Sequence, residues 1–136
     1  MFRPVAAASL AALLVAACSQ GGGAANAAND PYAGLSTEIL AWRGGIEASH
    51  PNCQTKVDGK GCDTFQVNCK AAQEITPDEQ AKGVTAQVVA AMTFNGRTAD
   101  GSSGRPGSAF AEFSKAGGQW THQEAKPVNL ATCAPL

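Results

Sequence analysis

Charge is scarce and scattered in this chain of 136 residues: charged residues make up 15%, with 10 basic against 11 acidic and a formal charge of −1. The Lys and Arg side chains form no stripe and have no aromatic residues interleaved, so nothing grips a phosphate backbone, and nucleic acid is excluded as a partner. The same scatter leaves no polybasic patch for a membrane surface. Histidine occurs only twice, at His50 and His122. No cysteines or histidines lie at zinc-ligand spacing, and there is neither a phosphate-binding glycine motif nor a metal-ligand helix, so neither metal nor cofactor is expected. Ser102-Ser103-Gly104 lacks the strand-to-helix setting of a nucleophile elbow. A long hydrophobic run is missing too. The apolar stretch from Pro4 to Ala17 is 14 residues, which at about 1.5 Å per residue falls short of a bilayer core of roughly 30 Å. No internal repeat is present.

What that stretch does fit is an export signal. Met1-Phe2-Arg3 is a short cationic start, the Ala/Leu/Val run follows, and it closes on Leu13-Leu14-Val15-Ala16-Ala17-Cys18. Val15-Ala16-Ala17-Cys18 resembles the lipobox of bacterial lipoproteins. The resemblance implies that residues 1–17 are removed, that Cys18 becomes the lipid-carrying N-terminus, with diacylglyceryl on its thiol and acyl on its amine, and that the chain stays on its membrane. Several buried acyl chains, at about 0.8 kcal/mol per methylene, make such an anchor close to permanent. Ser19 stands where Asp would mark retention in the inner membrane of enteric bacteria, so the resemblance implies a periplasm-facing protein of the outer rather than the inner membrane. Removing residues 1–17 takes away Arg3 and leaves a formal charge of −2.

Residues 18–30 then read as a Gly/Ala/Asn tether with no large apolar side chain, spanning about 19 Å as a random coil. Residues 31–136 remain as a single domain, small enough that cross-links help its core. Of five cysteines, assigning Cys18 to lipid leaves Cys53, Cys62, Cys69 and Cys133, an even set that in an oxidising compartment implies two disulfides. Three connectivities exist. The preferred one joins Cys53 to Cys62 across a turn-rich link and Cys69 to Cys133; the rival joins Cys53 to Cys69 and Cys62 to Cys133.

Leu35, Ile39, Trp42 and Ile46 recur at the spacing of one helical stripe, with Ser36 or Thr37 as cap. Gly44 and Gly45 inside it imply a bend or a close approach to a sheet, and His50 at its end suits an imidazolium at the helix dipole. From Thr64 the period is two, with Phe65, Val67, Cys69 and Ala71 on one face. Thr76-Pro77-Asp78-Glu79 is a capping box opening a short helix that Gly83 stops. Val84 to Phe94 alternates as a strand, with a helix continued from Pro77 to Met92 as the rival. Residues 96–108, rich in Gly, Ser, Asp and Pro, read as a long mobile loop. Ala109–Ser114 and Gln119–Glu124 flank Lys115-Ala116-Gly117-Gly118 as a hairpin.

The expected fold is α+β, an N-terminal helix packed on an antiparallel sheet of about four strands with two disulfides. Ala109-Phe110-Ala111-Glu112-Phe113 followed by Gly117-Gly118-Gln119-Trp120 resembles the closing hairpin of cystatin-like and NTF2-like domains. On a loop of two or four residues, Trp120, His122 and Glu124 share a face with Phe113 and Ala111, and these make the candidate ligand-facing set, with His122 beside Ala111 and paired to Glu124. No catalytic residue is assigned. Three classes of function remain: a non-enzymatic module binding an envelope protein, a glycan or a small ligand; a hydrolase inhibitor presenting loop 96–108; and a small enzyme working at His122 and Glu124.

Overall fold

The computed structural model describes residues 30–136. The signal segment 1–17, Cys18 and the tether as far as residue 29 lie outside them. The described chain forms helix α1 (Leu35–Ser49), a 3-10 turn (Pro51–Cys53), strand β1 (Cys62–Ala72), helix α2 (Pro77–Ala81) and strands β2 (Val84–Arg97), β3 (Ser103–Ala116) and β4 (Gln119–Glu124). The strands make one antiparallel sheet in the order β1-β2-β3-β4. This is an α+β fold with two disulfides, Cys53–Cys62 and Cys69–Cys133. No helix among the described residues is long and apolar enough to cross a membrane.

Helix α1 buries Leu35, Ile39, Trp42 and Ile46, the stripe that its spacing dictates. They pack on Val88, Ala90, Met92 and Phe94 of β2 and Ala111 and Phe113 of β3, with Trp42 edge-on to Phe113 at 5.5 Å between centroids. The opposite face of the sheet is also covered. Val89 and Ala91 of β2 meet Val128 and Cys133 of the C-terminal segment, joined by Cys69, Ala71, Phe110 and Ala125. Strand β2 is therefore buried on both faces, which explains its near-continuous run of Val, Ala and Met. The rival helix from Pro77 to Met92 does not form: α2 keeps its capping box at Thr76 and Glu79 but ends at Ala81.

Four expectations need correction. Neither Ser36 nor Thr37 caps α1; its N-cap is Gly34, at φ +89°, with no side-chain bond. Gly44 and Gly45 do not admit a close neighbour, since a Cβ at either would meet nothing within 4 Å. The alternation of β1 changes phase, because register shifts between Asp63 and Gln66 and between Val67 and Cys69 insert irregularities. Phe65 and Val67 face α1, whereas Cys69 and Ala71 face the C-terminal segment. A bulge re-aims the side chains that follow it, and here it turns Cys69 toward Cys133.

The fourth correction concerns residues 96–108, which are mostly strand. Arg97 pairs with Ser103, Asn95 with Pro106, Phe94 with Gly107 and Thr93 with Ser108, so the connection shrinks to residues 98–102. Glycine is there for space. A Cβ on Gly107 would meet the Phe94 ring at 2.6 Å and the Asn52 amide at 2.8 Å. The 3-10 turn lies against these strands, where Asn52 Nδ2 donates to the Pro106 carbonyl at 3.1 Å.

Candidate functional site

The four residues of the candidate set go to different places. Phe113 is wholly buried. Trp120 donates its indole N–H to the Ala33 carbonyl at 2.8 Å and lies against Gly34, so it pins the turn that starts α1. His122 and Glu124 line a cleft of about 490 Å³ between the C-terminal half of α1 and strands β3 and β4.

The hairpin turn sets that geometry. Gly117 and Gly118, both at positive φ, form a two-residue turn that places Lys115 opposite Trp120, Phe113 opposite His122 and Ala111 opposite Glu124. His122 thus stands beside Phe113, not Ala111, with its ring 5.7 Å from the Phe113 ring. Its partner is also not Glu124. His122 Nδ1 and Glu38 Oε1 of α1 lie 2.7 Å apart, both side chains half-buried. A carboxylate only accepts, so Nδ1–H donates to Glu38 and Nε2 is the nitrogen left for other partners.

The second histidine belongs to the same cleft. His50 Nδ1 accepts the Asn52 N–H at 3.1 Å, and its ring is edge-on to Phe94 at 4.8 Å. An accepting Nδ1 carries no proton, so the ring is neutral with its hydrogen on Nε2. The imidazolium at the helix dipole expected for His50 is thereby replaced by a neutral ring that caps the 3-10 turn. Trp42, Ile46 and Ala109 supply apolar wall, and Gly45, Ser49 and Ser108 are also in the lining. Strand β4 ends at Glu124 opposite Ala111, and the cleft reaches β3 at Ser108, Ala109 and Phe110, beyond that end.

Glu38, His50, Trp42 and Gly45 are the site residues that sequence reasoning missed. Glu38 had a signal, as the acidic residue one position before Ile39 of the buried stripe, but no pattern in the chain says which strand residue it meets. Gly45 had one as well, as a glycine in the interior of a helix.

Among the described residues, one cluster has metal-ligand chemistry, Glu47 with Cys53 and Cys62. Both sulfurs are spent in a disulfide. The Glu47 carboxylate accepts from the backbone N–H groups of Gly61 and Cys62 and pairs with Lys56, which makes it a clamp on the disulfide turn. The perturbed carboxylates lie away from the cleft. Hydroxyls of Ser102 and Thr98 and the Ser102 N–H hold Asp100 at about 2, and the Gln87 amide with the Thr76 N–H lowers Glu79.

No family model, curated protein or solved structure matches this chain.

Proposed function

We propose that this chain is an envelope lipoprotein, cleaved before Cys18, anchored there by lipid and facing the periplasm, on the outer membrane in preference to the inner. Its domain is a non-enzymatic binding module that takes a small ligand in the cleft between α1 and the β3–β4 hairpin. The cleft carries the reading: about 490 Å³ is within the range of small-molecule sites, and apolar walls with a few convergent polar groups are their usual make-up. The apolar run ending at Cys18 supports the anchor, and the even cysteine set paired as two disulfides supports an oxidising compartment.

Two measurements on the native, detergent-extracted protein test the proposal. Intact mass after thiol blocking and without reductant is expected to show a triacylated chain beginning at Cys18 with no blocked cysteine; an unlipidated chain overturns the anchor. Native mass spectrometry is expected to show a non-covalent small molecule on the wild type that is absent from Gly45→Phe. Equal occupancy in both overturns the cleft as the binding site.

A second reading, a small enzyme, draws on the His122–Glu38 pair, since a carboxylate orienting an imidazole is how general bases are held. His122→Ala abolishes turnover on that reading and leaves a binding module able to bind. The inhibitor reading loses the long loop it needed, because only residues 98–102 connect β2 to β3.

A further inference from the structure

Helix α1 carries a glycine that its own fold does not require. Gly45 lies in the helix interior, where glycine is about 1 kcal/mol less favourable than alanine, and it is not among the glycines at positive φ. A Cβ there would meet nothing within 4 Å. What Gly45 does is leave the wall of the cleft bare, since it lines the cleft between Trp42, Ile46 and Ser49 on one side and the β3–β4 residues on the other.

The charge of that cleft is one-sided. Glu124 contributes a carboxylate, and no Lys or Arg is among the lining residues. Protonation of His122 would add only a charge already faced by Glu38 at 2.7 Å. His50 is neutral while its Nδ1 accepts from Asn52. Among the described residues neither His122 Nε2 nor His50 Nε2 has a protein partner. With Nδ1–H turned to Glu38, the neutral His122 ring offers a lone pair at Nε2, and His50 offers an N–H. Trp42 brings aromatic surface, which a cation also favours. A carboxylate ligand would face Glu124, with no Lys or Arg in the lining of the cleft.

We propose that the cleft bounded by Gly45, Trp42, His50, His122 and Glu124 binds a small organic amine, its ammonium group at Glu124 and His122 Nε2 and its apolar body against Trp42, Ile46 and Ala109. This rests on the reading of the domain as a cleft-bearing binding module and specifies the ligand class. The glycine keeps the space, the carboxylate selects the charge, and the Glu38-oriented histidine accepts the ammonium hydrogen.

Three probes of matched shape test it on the folded, disulfide-bonded chain: 2-phenylethylamine, 2-phenylethanol and 3-phenylpropionate, titrated at pH 7.5 by calorimetry and by amide chemical shifts. The amine is expected to bind about tenfold or more tightly than the acid and to shift the signals of Gly45, His50, His122 and Glu124. Glu124→Gln is expected to remove most of that preference while alcohol binding persists. Gly45→Phe is expected to abolish binding of all three, and Gly45→Ala to raise stability, since it adds helix propensity in open space. Cleft shifts with equal or tighter binding of the acid overturn the amine assignment and leave the binding module standing. Absence of cleft shifts with every probe, or undiminished binding in Gly45→Phe, overturns both.

Discussion

His122 on the last strand holds Glu38 on the first helix through an Nδ1···Oε1 contact of 2.7 Å, 84 positions apart in the chain. The contact fastens the free edge of the sheet to α1 and orients the imidazole over the cleft. Replacing Glu38 with Ala removes a half-buried, charge-assisted hydrogen bond and is expected to lower stability by about 1 kcal/mol, read by urea denaturation. The ¹⁵N signals of the His122 ring report the loss independently: Nδ1 ceases to be the exclusive protonated nitrogen of the neutral ring. Unchanged ring signals in the variant would show that Glu38 does not set the tautomer.

Gly61 sits against the backbone of Cys53, where an added Cβ would overlap the Cys53 carbonyl. Both partners are main chain tied by the Cys53–Cys62 disulfide, so neither can swing away. Gly61→Ala is expected to destabilise the domain by about 3 kcal/mol through overpacking, and to leave a fraction of molecules with free thiols at Cys53 and Cys62. Thermal denaturation together with thiol counting checks it; a variant as stable as wild type and fully oxidised contradicts it.

The Cys69–Cys133 bridge spans a sequence separation of 64 and ties the C-terminal segment over Val89 and Ala91. Replacing both cysteines with Ala is expected to lower stability by about 4 kcal/mol in the chain-entropy model. Hydrogen exchange should then accelerate at the tail first, at Cys133→Ala itself and at Ala134, whose N–H groups are held locally by Asn129 and Thr132. Loss of protection confined to α1 would show that the bridge does not govern the tail.

Asp100 organises the β2–β3 turn, accepting from the Ser102 N–H at 3.0 Å and the Ser102 hydroxyl at 2.6 Å, and its pKa is lowered from 3.8 to about 2. A carboxyl whose folded pKa is depressed adds stability that is fully present above its unfolded value and is lost as pH falls through the folded value. The turn is therefore expected to keep its native Ser102 amide shift down to about pH 3 and to lose it toward pH 2. Asp100→Asn should remove this transition. A Ser102 titration midpoint near 4 would mean that the hydroxyls do not hold the carboxylate.

Local pattern was enough wherever one periodicity and one set of turn residues agreed. The stripe Leu35, Ile39, Trp42 and Ile46 could bury itself only as a helix, the capping box at Thr76 and Glu79 could open only a short one, and Gly117-Gly118 admitted the hairpin. Cysteine parity, with Cys18 set aside, implied two bridges, and the pairing preferred among three connectivities is the one observed. Composition misled at residues 96–108, where glycines that look like loop are strand residues making room for Asn52 and Phe94.

The tertiary structure alone decided what depends on register and on distant partners. Alternation placed Cys69 with Phe65 and Val67, but a bulge is a property of two paired strands, and the shift between Val67 and Cys69 turned the cysteine to the opposite face. Nearness in the chain suggested Glu124 for His122, yet residues two apart on a strand lie side by side without meeting head-on, and the helix packed above brought Glu38 into reach. By itself the sequence determined most of the elements and the disulfide-stabilised α+β class, because these follow from periodicity and backbone chemistry. Which side chains meet at the site, and the cleft they enclose, were settled only when α1 packed on the sheet.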